Sequence, residues 1–197
     1  MPMAARSRGS SLCCIEGPRL MFTSDRVLAA AFHRTLREVY FTEKLSSRVN
    51  KRAARCATSL ALRQAIERQE GESVGRVMRL NSVFKLIGKS ARSRTYRPIR
   101  SMTTAIEEFL ADADSADGVD TVLICWAQHI ESYWIGRYGT LKDWSGKLDL
   151  PAAEDMIDEA WQELNRTAAA LASVADELAA GNGLGSDYHH SPNRGRA

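Results

Sequence analysis

The chain is short of proline, with 5 in 197 residues, and of β-branched runs, which leaves little room for sheet. It has no large excess of charge of one sign. The formal net charge is +3, and that balance gives no whole-chain signal for nucleic acid. No apolar run approaches the roughly 20 residues needed to cross a bilayer. The patch Leu12-Cys13-Cys14-Ile15 is too short for a secretory core. The 4 cysteines include no Cys-x-x-Cys pair, so zinc and thiol redox sites are not indicated. These absences predict a cytoplasmic protein that does not enter membranes.

What is present is ordinary globular material: 44% hydrophobic and 26% charged residues, enough for one domain with a substantial core. Residues 1–23 read as a basic, flexible arm with Arg6, Arg8 and Gly9, and Met21 is a plausible alternative start. Residues 24–181 read as a helical bundle, and residues 182–197, rich in Gly, Ser, His and Arg, as a disordered tail.

Helical periodicity is clear through the bundle. Ser24 and Asp25 open a helix running to about Cys56, with Leu28, Phe32, Leu36 and Val39 on its apolar stripe. Ser59 caps a second helix that Gly88 ends, and its inward face reads Leu62, Ile66, Val74, Val77 and Phe84. A shorter helix follows Pro98. A third long helix spans about Val119 to Lys147 and is apolar around much of its girth. Asp149 and Pro151 open a fourth, closed by Gly181-Asn182-Gly183. The expected class is therefore all-α. The layout is a ferritin-like four-helix bundle with a short extra helix in the crossover between helices two and three.

The informative residues are acids on apolar stripes. Glu43 follows Leu36 and Tyr40 at helical spacing. Glu131 shares a column with Ala127, Trp134 and Tyr138, and Glu163 shares one with Ala160 and Thr167. An ionised carboxylate in a core must be protonated, hydrogen-bonded, paired with a base or bound to a cation. Two readings follow. Converging acids suit iron or manganese; alternatively they meet bases and hydroxyls, with Arg137 and the tyrosines as candidate partners.

Several runs carry a resemblance. Leu36-Arg37-Glu38-Val39-Tyr40-Phe41-Thr42-Glu43-Lys44, Gln128-His129-Ile130-Glu131-Ser132-Tyr133 and Tyr138-Gly139-Thr140-Leu141 resemble motifs of the YciE/YciF-type ferritin-like family. The resemblance spans about Asp25 to Ala180. It implies a bundle that is usually a homodimer and linked to bacterial stress responses. It also implies a di-metal site fed by a Glu of helix one, a Glu-x-x-His of helix two and acids of helices three and four. Glu43, Glu131 and Glu163 match that pattern. Helix two departs from it, reading Gly71-Glu72-Ser73-Val74, and Ser132, Trp134, Leu164 and Ala168 replace other donors of the family.

The resemblance thus leads to a degenerate, non-catalytic centre with no cofactor, in which Arg137 supplies charge compensation. The competing expectation is a di-iron or di-manganese oxidoreductase, ferroxidase-like, with the altered ligand set Glu43, Glu70, Glu131 and Glu163. A weaker reading takes the basic stripe Arg34, Arg37, Lys44, Arg48 and Arg55 as a DNA-associating face. Gly71 and Gly75, mid-helix, suggest close approach by Trp134. No small-molecule substrate is identifiable from the sequence.

Overall fold

The computed structural model describes residues 23–112 and 118–181. The expected tail, and the expected arm apart from Thr23, lie outside the described residues. Five helices account for the described secondary structure: α1 (Thr23–Cys56), α2 (Leu60–Leu86), α3 (Arg97–Asp112), α4 (Val119–Lys147) and α5 (Pro151–Gly181). Two tight connections, 57–59 and 148–150, make α1–α2 and α4–α5 antiparallel hairpins. The hairpins pack through α2 on α5 and α1 on α4, and α3 leans on α1. The result is a four-helix bundle with one crossover that carries its own short helix.

Each helix end has a local cause. The Ser59 hydroxyl accepts from the Leu62 amide at 3.4 Å at the start of α2. At its other end Gly88, with φ 65°, donates to Lys85 O while the Lys89 amide reaches Phe84 O. This is a Schellman closure that favours glycine. The α4–α5 turn repeats that pattern with Asp149 at φ 57°, its amide on Gly146 O and the Leu150 amide on Ser145 O.

The α1–α2 turn is tied down from outside. Asp120, in the first turn of α4, accepts from the Thr58 amide at 2.8 Å, the Ser59 amide at 2.7 Å and the Thr58 hydroxyl at 2.6 Å. Its carboxylate therefore serves the amino end of α2 and locks one hairpin to the other.

The core runs the length of the bundle, with Phe32, Leu36, Leu62, Ile66, Leu123, Ile130, Ile157 and Leu164 all at 1% exposure or less. On α2 the inward face differs from the expected one. Val74 is 49% exposed, and the buried series is Leu62, Ile66, Gln69, Ser73, Arg76, Leu80 and Val83. Those residues alternate four and three apart, a regular bundle seam whose middle members are polar. A search for apolar residues slides off that seam at Gln69 and lands on Val74, about 100° round the helix. Nor does any bulky group approach Gly71: a Cβ there would meet nothing within 4 Å, and one at Gly75 would meet only the Arg79 guanidinium at 4.0 Å. The two glycines are not a packing notch for Trp134.

Replacing Asp120 by Ala strands three donors and should lower unfolding free energy by about 2–3 kcal/mol. In urea titration this is expected as a lower midpoint at unchanged slope.

Candidate functional site

The middle of the bundle holds a buried cation. Arg76, on the α2 seam, has no exposed surface. Its Nε donates to Glu43 Oε1 of α1 at 2.8 Å, and its Nη1 donates to Glu163 Oε1 of α5 at 3.0 Å. Its guanidinium carbon lies 5.0 Å from the ring centroid of Trp134 of α4, a cation–π contact in a dry setting. Burial works against the charge, but Glu43 above all outweighs it, and Arg76 is held above its ordinary pKa. One side chain thus engages three other helices.

The carboxylates around it are fully engaged. Glu43 also accepts from the Ser73 hydroxyl of α2 and from the Tyr138 phenol of α4 at 3.0 Å. Burial, and then the charge of Glu43, keep Tyr138 well above its usual pKa, so it serves as a donor. Glu163, 19% exposed, takes a second arginine, Arg79, which also reaches Glu159 at 3.5 Å. At the rim Glu72 lies 3.7 Å from Arg76 Nη1 and accepts from the Thr167 hydroxyl at 2.7 Å.

Next to this charged layer lies a nearly neutral one. Gln69 Nε2 donates to Glu131 Oε2 at 2.6 Å and to Ala127 O at 3.3 Å. Its own carbonyl accepts from Asn50, whose Oδ1 takes the Trp126 indole N–H. Glu131 is fully buried, and its Oε1 has no partner. Burial raises its pKa to about 7, against the opposing pull of Gln69 and Arg76.

The four acids expected at the site therefore divide. Glu43 and Glu163 meet through Arg76, and Glu131 lies one layer away on Gln69. Glu70 does not join them: it sits at the α1–α2 margin, accepting from Ser47 at 2.9 Å and facing Lys51 at 3.4 Å. Its position one residue past Gln69 turns it off the seam. Arg137 is also elsewhere. It pairs with Glu38 of α1, 25% exposed, on the flank of the bundle, because residue 137 is one position short of the Tyr138 column. The charge compensation expected of it is supplied by Arg76. The i, i+3 pair of α2 that faces the centre is Ser73 and Arg76, two residues beyond the Gly71 and Val74 singled out from the sequence. The signal that could have found Arg76 was the four-and-three spacing Gln69-Ser73-Arg76-Leu80, read without requiring apolar side chains.

This set does not fit a pair of divalent cations. Two guanidiniums, those of Arg76 and Arg79, already neutralise Glu43 and Glu163, no imidazole accompanies them, and Trp134 fills space that a ligand would need. Among the described residues, no three His, Cys, Asp or Glu side chains converge closely enough to hold an ion.

The profile of a family described as a domain of unknown function, DUF892, matches residues 27–182. The chain belongs to the DUF892 family. It is similar to protein YciF of Escherichia coli strain K12, with 24% identity over 152 residues that cover 76% of this chain and 91% of that protein. Among solved structures, the fold matches the E. coli stress protein YciF with a TM-score of 0.72 and 23% identity, covering 79% of this chain and 97% of that one. It also matches YcfI of Rhodopseudomonas palustris, with a TM-score of 0.70, 22% identity and coverages of 77% and 97%. This DUF892 chain thus places an arginine where its helices converge.

Two tests follow. Arg76→Leu leaves the fully buried Glu43 without a cation, while Glu163 keeps Arg79, and should cost about 3–5 kcal/mol. Arg137→Leu, on the flank, should cost only about 1 kcal/mol. Denaturant titration of both variants reads the order. The second test is pH. Glu131 keeps a proton in the folded chain that it sheds when unfolded above its ordinary 4.5. The corresponding stabilisation, roughly 3 kcal/mol, is complete below about pH 4.5 and lost as pH climbs through about 7. Glu131→Gln should flatten the melting temperature across that window and leave the variant the more stable protein at pH 8.

Proposed function

We propose that this DUF892 chain is a metal-independent, non-catalytic bundle that acts as a structural element in stress physiology, working as a homodimer in the cytoplasm. The observation that carries the reading is Arg76. It draws acids from α1 and α5 to one point, as a metal would, but it is tethered to α2. A tethered guanidinium offers no open coordination position and no change of oxidation state. What it can supply is alignment of the helices and a rigid centre.

The relatives support the same direction. The E. coli protein is called a stress protein, and the R. palustris protein is described in terms of a structural role. Longest reach belongs to the non-catalytic part of the proposal, because it rests on the chemistry of the centre itself. No observation favours ferroxidase chemistry at Glu43, Glu131 and Glu163 over it, and Glu70, 21% exposed, is committed to Ser47 and Lys51.

The test is metal content and its consequence. Tag-free protein, grown with added iron and manganese, should carry well under one metal atom per chain, and neither ion should raise its melting temperature. About two bound atoms per chain with ferrous oxidation would overturn the reading in favour of an oxidoreductase. Light scattering should give twice the chain mass of 21.8 kDa.

A further inference from the structure

A second arginine cluster, on the flank of the bundle, has no part in the centre. A cleft of about 580 Å³ lies where α1, the segment preceding α3 and α4 meet. It is lined by Arg34, Thr35 and Glu38, by Arg94 to Arg97, and by Arg137. Four arginines there stand against one carboxylate. We propose that this cleft binds a small phosphate-bearing anion carrying at least two negative charges.

The cleft is built rather than incidental. Glu38, with a side chain only 7% exposed, gathers three of the arginines: Arg34 Nε at 3.1 Å, Arg94 Nε at 3.4 Å, and Arg137 Nη2. It orients them toward a common point but cancels only one of their charges. Arg137 is further pinned by its guanidinium lying 5.1 Å from the Tyr96 centroid and 5.9 Å from that of Tyr133, two rings stacked at 5.6 Å. Its Nε is buried with no acceptor in the protein. The segment carrying Arg94 is fastened to α1, the Arg94 amide to Arg37 O at 3.0 Å and Arg37 Nε to Arg92 O at 3.0 Å. The fourth arginine, Arg97, is the first residue of α3, and the first turn of that helix contains no acid to offset its positive end.

The chemistry selects the ligand. Arginine forks match the oxygens of phosphate two at a time, and a fixed guanidinium loses little freedom on binding. A surplus of three positive charges exceeds what a single carboxylate ligand would neutralise. The volume is that of a small-molecule site. The remaining basic residues of α1, such as Lys44 and Arg48, lie outside the lining.

Titration calorimetry on the full chain, with orthophosphate, pyrophosphate, ATP and adenosine at about 0.1 M salt to limit diffuse attraction, tests the proposal. Pyrophosphate and ATP should bind one per chain, at least tenfold more tightly than orthophosphate, and adenosine should not bind. Matching affinities for pyrophosphate and ATP would assign recognition to the phosphates alone; tighter ATP would add the base, and both support the site. The exposed pair Arg34→Ala/Arg97→Ala should weaken binding at least tenfold with an unchanged melting temperature, while Lys44→Ala/Arg48→Ala should not weaken it. Absence of saturable binding, adenosine binding as well as ATP, or equal losses in the two double variants would overturn it. So would affinity confined to duplex DNA.

Discussion

A charge that has lost all contact with water must be met by opposite charge and by hydrogen-bond partners, and Arg76 imposes that demand on the whole bundle. Its nitrogens fix where Glu43 of α1 and Glu163 of α5 stand, and its flat face fixes Trp134 of α4. Tyr138 then completes the shell of Glu43. Sliding any one helix by a turn would break a bond at the centre and expose a buried ion to nothing. The interaction therefore does more for register than a patch of leucines of equal size, which tolerates small shifts.

The departures from the di-metal pattern are complementary to one another. Trp134, where the resemblance implies an acid, brings no negative charge and gives the guanidinium a ring to lie on. Ser73, beside Arg76 on the seam, donates its hydroxyl to Glu43. In the adjoining layer Gln69, Asn50 and Trp126 form a neutral relay to Glu131. The two layers divide the interior into a charged plane and a polar plane, with one atom in each, Arg76 Nη2 and Glu131 Oε1, left without a hydrogen-bond partner.

Much of this fold was legible from residue spacing. The limits of α4, the Ser59 cap, the Gly88 closure and the inward columns of Glu43 and Glu131 all follow from periodicity and end chemistry. The centre was harder. Arg76 sits on a seam whose neighbours are Gln69 and Ser73, so apolar patterning loses the face where the site is built. Glu70 and Arg137 each lie one residue from an inward column, and one residue is about 100° of helix, enough to carry a side chain from the core to the flank. Asp120 shows the same limit: its partners are 62 and 61 residues away in sequence, and spacing along a helix says nothing of such ties.

The most direct measurement is a double-mutant cycle between Arg76→Met and Glu43→Gln, read by chemical denaturation. If the guanidinium and the α1 carboxylate hold the centre together, each single change is costly, and the double variant is more stable than the two losses added would allow, by about 2 kcal/mol or more. Losses that simply add, within about 0.5 kcal/mol, would mean that the two groups do not depend on each other, and the account of the centre would be wrong.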